Sequence, residues 1–105
     1  MLLTNFIMKN LQKSILANKV AKGFNTTDIP LEFAYLYSEV GEAFEAWRKK
    51  KDDLGEELAD IAIYLLGMAE ILGFDLETEI VQKIQKNAKR VYEHRDGVSV
   101  RVSDE

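Results

Sequence analysis

Residues 55–67 read GEELADIAIYLLG. Three carboxylates, Glu56, Glu57 and Asp60, head a run that is otherwise almost wholly apolar, where unpaired negative charge is costly to bury. At about 100° per residue, Leu58, Ile61, Ile63, Leu65, Leu66, Met68, Ile71 and Leu72 spread around most of a helix circumference instead of forming one stripe. A helix that is apolar all round must be covered all round. In so small a chain that predicts a homodimer or homotetramer with this helix near an interface.

A helical period extends outward from that stretch in both directions. Phe6, Ile7, Leu11, Ile15, Leu16 and Val20 recur at steps of three and four, predicting a first helix from about Thr4 to Lys22 with Gly23 as its stop. GFNTTDIP is a loop, with Asp28 as cap and Pro30 in the first turn of a second helix that runs to about Lys50. KKKDD is a solvated turn, and Asp53 followed by Glu56 resembles a capping box opening helix three, which ends at Gly73. Asp75 is placed to cap a fourth helix reaching Tyr92 or Glu93. The reading is therefore all-α: an antiparallel four-helix bundle-like domain over residues 1–93, oligomeric, followed by a short non-helical tail over 94–105. A short strand, a docked tail or disorder all fit that last segment.

Composition narrows the function. The chain has 105 residues, of which 47% are hydrophobic and 30% charged, which suits one folded domain. A net charge of −4 and a pI near 5.1 argue against a nucleic-acid partner. Without cysteine there are no disulfides and no thiolate chemistry. The N-terminus does not read as a secretory signal, and the longest apolar run is too short to span a membrane. A cytoplasmic protein is the expectation.

The acids form two pairs. Glu39 and Glu42 lie three apart on helix two, as do Glu57 and Asp60 on helix three, and such neighbours share a helix face. Adjacent antiparallel helices can turn four carboxylates toward one another as oxygen ligands for Mg²⁺ or Mn²⁺. Gly41 between the first two would permit close backbone approach. Against this stands the position of Glu42, about 150° from the centre of the stripe Phe33, Leu36, Val40, Phe44 and Trp47. Acids at helix starts are also ordinary caps, the role assigned to Glu56. With His94 the only histidine, neither a Glu-x-x-His di-iron set nor a Ser-His-Asp set can be assembled.

The stretch SEVGEAFEAWRKKKDDLGEELADIAIYLLGMAEILGFDL resembles the core of the MazG-like all-α nucleotide pyrophosphohydrolases, marked by Glu-x-x-Glu on one helix and Glu-x-x-Asp on the next. KVAKGFNTTDIPLEFAYLYSEVGEA and KIQKNAKRVY extend the likeness over most of the chain. The resemblance implies Mg²⁺-dependent hydrolysis of a nucleoside triphosphate to a monophosphate and pyrophosphate, by attack of a metal-bound water at the α-phosphorus. It implies Glu39, Glu42, Glu57 and Asp60 as the metal-binding and catalytic acids. Lys83 and Asn87 fall at its phosphate- or sugar-contacting positions, with Arg90 and Tyr92 as companions, and a neighbouring subunit often completes its pocket. Phe24, Asn25, Phe44 and Trp47 are candidates for holding the base, although core packing is the plainer reading of Phe44 and Trp47. The competing reading is a non-catalytic helical interaction module with the same bundle.

Overall fold

The start expected for helix one, with Phe6, lies outside residues 7–103, which are those the computed structural model describes. Within them run α1 (Ile7–Ala21), α2 (Ile29–Arg48), α3 (Leu54–Leu72), α4 (Leu76–Ala88), β1 (Val91–Arg95) and β2 (Val98–Ser103). The four helices expected from the periodicity are present, and the C-terminal segment is a hairpin. No helix among the described residues is long and apolar enough to cross a membrane.

Local chemistry sets the helix ends. Gly23 and Gly73 adopt left-handed φ values of 70° and 81°, open to a residue without Cβ. Beyond each, an amide reaches back to an orphaned carbonyl: Phe24 N donates to Lys19 O at 2.9 Å and Phe74 N to Ala69 O at 2.8 Å. Asp28 caps α2, its Oδ1 accepting from Leu31 N at 3.1 Å. The capping box expected at Asp53 does not form. Asp28 is extended at ψ 95°, which aims its carboxylate at the first turn, whereas Asp53 at ψ 15° is not.

The chain divides into two compact units, Met1–Asp75 and Leu76–Glu105. In the first, α3 packs against both α1 and α2. Gln12 Nε2 donates to Glu70 Oε1 at 3.2 Å and to Phe74 O at 2.9 Å, which sets α1 antiparallel to α3. The tight approach is at Gly67, where a Cβ would stand 3.0 Å from Ile15 Cγ2. At Gly41, where the sequence suggested it, the space is open.

Most of the helix-two stripe does not face the core: Phe33, Val40, Phe44 and Trp47 are exposed, and Leu36 is half-buried. On α2 the buried residues are Glu32, Ala43 and Ala46. Phe44 and Trp47 stand 56% and 63% exposed, which corrects the expectation that they pack inside. Small alanines let α2 lie close on α3, and the larger apolar side chains one step around the helix are turned outward. The innermost polar contact links Lys19 Nζ to Glu32 Oε1 at 2.5 Å, with the ammonium 5.2 Å from the centre of the Tyr64 ring. Glu32 is 1% exposed, so truncating it strands a buried cation. Glu32→Ala is expected to lower unfolding free energy by about 3–5 kcal/mol in urea denaturation. Lys19→Met combined with Glu32→Leu should recover most of that loss, because the uncompensated charge goes with its partner.

The second unit joins α4 to the hairpin. Helix α4 stops at Ala88, short of Tyr92 or Glu93, and Val91 and Tyr92 belong to β1. Lys89 N and Arg90 N close the last turn on Lys86 O and Asn87 O at 3.2 and 3.1 Å, after which the chain extends. Asp96 and Gly97, with φ of 54° and 78°, form the two-residue turn that suits the twist of paired strands. Arg95 pairs with Val98, and the register shifts between Val91 and Tyr92.

Candidate metal centre

Helices α2 and α3 run antiparallel, with Tyr35 against Tyr64 at a ring separation of 5.9 Å. One turn further along, Glu39, Glu42 and Glu57 each bring a carboxylate oxygen within 4.8 Å of the others. Asp60 borders this triad. Its charge acts on Glu39 and Glu57, and it lines a cavity together with Glu39.

The electrostatics are those of a cluster in which negative charge dominates. Burial raises the pKa of Glu39 above the ordinary carboxylate value, and its hydrogen bond with Glu42 and the charges of Glu42, Asp60 and Glu57 raise it further. Burial also leads the rise at Glu57, aided by Glu42, Asp53 and Asp60 and partly offset by Lys51. Glu39 Oε2 and Glu57 Oε2 are buried acceptors without a hydrogen-bond donor. A divalent cation answers both deficits, because it supplies charge and takes carboxylate oxygens as ligands. Glu45 is the contrast. Arg48 at 2.8 Å and Lys49 at 3.5 Å pair with it and hold its pKa below the ordinary value. Glu56 is exposed in the first turn of α3, where it complements the helix dipole.

The remaining candidates divide by unit. Phe24 is exposed at the rim of two cavities, one mainly between α1 and α3 and one where α1, α2 and α3 meet. The Asn25 amide is engaged by its own loop, Nδ2 donating to Asp28 O at 2.8 Å and Glu32 Oε2 at 3.0 Å while Oδ1 accepts from Asp28 N at 3.0 Å. Trp47 stacks on Phe44 with ring centres 6.1 Å apart. In the second unit, Lys83 lines a groove of α4 with Glu79, Gln82 and Lys86, Asn87 lies exposed near the end of that helix, and Arg90 follows it. Tyr92 sits on β1 opposite Arg101.

Four residues near the cluster carried no functional signal in the sequence. Lys19 and Tyr64 read as ordinary helix positions thirteen and more residues from their partners, Asp53 as a cap, and Lys51 as one of three consecutive lysines. Asp53 Oδ1 is buried without a donor, and its charge acts on Glu57.

Two helices that present Glu-x-x-Glu against Glu-x-x-Asp are the sequence mark noted above, and the MazG-like family model matches residues 31–104. The chain belongs to the MazG-like family. The matched region includes Glu39, Glu42, Glu57 and Asp60 together with Lys83, Asn87, Arg90 and Tyr92, whereas Phe24 and Asn25 precede it. No curated protein and no solved structure matches the chain significantly.

Proposed function

We propose that this MazG-like protein is a cation-dependent nucleoside triphosphate pyrophosphohydrolase that yields a nucleoside monophosphate and pyrophosphate. The observation that carries this reading is the meeting of Glu39, Glu42 and Glu57 within 4.8 Å, with two buried oxygens lacking donors. Those three acids, with Asp60 beside them, would hold Mg²⁺, for which Mn²⁺ can substitute. Bound there, Mg²⁺ neutralises phosphate charge and makes water more acidic. Burial and neighbouring charge raise the pKa values of Glu39 and Glu57 in the metal-free cluster, so a bound cation would compete with protons for both carboxylates. Because α2 and α3 pack on each other, the ligand spacing is set before the substrate arrives.

Thermal melting tests the site without relying on turnover. Mg²⁺ or Mn²⁺ with an α,β-methylene triphosphate analogue should raise the melting temperature, and ligand at a hundred times its dissociation constant contributes about 2.7 kcal/mol. The shift should shrink as the pH falls through the raised carboxylate values, since protons then compete with the cation. No shift at millimolar ligand would favour a helical module without catalysis.

Self-association accompanies this reading, and we place it on α2, where the sequence suggested α3. Phe33, Tyr37, Val40, Phe44 and Trp47 follow steps of four and three and are 44%, 73%, 46%, 56% and 63% exposed. Their four aromatic rings present on the order of 500 Å². That is well over half of the roughly 800 Å² each partner buries in a stable interface, and the heptad spacing suits an identical helix. A second copy of the chain is the partner this face fits.

A further inference from the structure

Building on the pyrophosphohydrolase reading, we infer that the substrate crosses the carboxylate cluster in a fixed direction. The nucleoside lies toward the α1–α3 cavity, and the pyrophosphate lies toward the cleft beside the α2–α3 turn, where Lys51 binds it. The cluster's acids are shared between two spaces of different chemistry. Glu39 and Asp60 line a cavity of about 400 Å³, and Glu42 and Glu57 line a cleft of about 670 Å³.

A bond cleaved at the cluster therefore has one product on each side. A triphosphate cut between its α and β phosphorus atoms yields unlike halves: an aromatic base on a sugar monophosphate, and a compact polyanion. The first cavity suits the base. Its wall offers Ile15, Ile63 and the exposed ring of Phe24, with Ser14 and Asn18 as neutral hydrogen-bonding groups. Lys19 also lines it, but its charge is committed to Glu32.

The second space suits the polyanion. Lys51 and the Ser38 hydroxyl line it, and Lys51 acts electrostatically on both Glu57 and Glu45. Glu45, the acid there outside the cluster, is offset by Arg48 and Lys49. In the reaction, the water oxygen bonds to the α-phosphorus and the bridging oxygen leaves with the β-phosphorus. The water's proton passes to solvent. Negative charge therefore accumulates on the side where Lys51 stands, and an ammonium there holds the leaving group as a point charge.

Calorimetric titration of the full chain in Mg²⁺ separates the two ends. Inorganic pyrophosphate and a panel of deoxynucleoside monophosphates are titrated separately into wild type, Lys51→Met, Lys51→Arg and Phe24→Ala, with circular dichroism checking the fold of each variant. Lys51→Met should weaken pyrophosphate roughly tenfold and leave the monophosphate unchanged, and Lys51→Arg should recover most of the loss. Phe24→Ala should do the reverse, weakening the monophosphate alone. Unchanged pyrophosphate affinity in Lys51→Met, or equal losses for both ligands, would overturn the direction while leaving the hydrolase reading in place. If wild type binds neither ligand, the hydrolase reading itself fails.

Discussion

On the proposed function, Glu39→Gln and Asp60→Asn should each lower pyrophosphate release by roughly a thousandfold, equivalent to several kcal/mol of lost charge stabilisation in the transition state. The same substitutions should leave the helices intact. Glu39→Gln should match or exceed wild-type stability in the absence of divalent cations, because Glu42, Asp60 and Glu57 all oppose its charge and burial opposes it more. Opposite movement of activity and stability distinguishes a ligand from a structural acid. Glu45→Gln is the control. Its carboxylate is half-exposed and satisfied by Arg48 and Lys49, so its loss should change neither quantity appreciably. Pyrophosphate release and thermal melting on the same samples check all three variants, and a wild-type rate in Glu39→Gln would remove that residue from the site.

The second large effect concerns assembly. If the chain self-associates through α2 as proposed, Phe44→Glu combined with Trp47→Glu should convert that oligomer into a monomer at micromolar concentration, read by light scattering coupled to size exclusion. The two rings stack on one another at the outer face of α2, and placing two carboxylates there opposes identical charges across a two-fold interface. Leu58→Glu on α3, also exposed, is the comparison. If dissociation follows Leu58→Glu and not the α2 pair, the interface lies where the sequence suggested. A wild type that is already monomeric would deny the α2 face this role.

The helices were legible because their signals are local. Asp28 before Pro30, and Gly23 and Gly73 after their helices, act within a few residues of themselves, and the structure uses each as read. The acids of α2 and α3 were legible for a related reason: i and i+3 spacing fixes a shared face whatever packs against it. Which side of α2 turned inward was not legible. The apolar period marks Phe33, Val40, Phe44 and Trp47 as the inward face, but the helix lies down on Glu32, Ala43 and Ala46, a choice made by the fit of α3 and by a Lys19–Glu32 pair thirteen residues apart. Lys51 was hidden among identical neighbours, since only the turn's geometry selects it over Lys49 and Lys50. The hairpin had a local signal in Asp96–Gly97 between valine-rich segments, but the continuing helical period through Lys89 masked where α4 stops.

Hydrolysis in ¹⁸O-labelled water, using a panel of ribo- and deoxynucleoside triphosphates with Mg²⁺ or Mn²⁺, tests whether this chain directs water to the α-phosphorus. Phosphorus NMR then reads which product carries the label. Attack at the α-phosphorus predicts pyrophosphate as product and the heavy oxygen in the nucleoside monophosphate alone. Label in pyrophosphate, release of single phosphates, or no product from any triphosphate in the panel would contradict it.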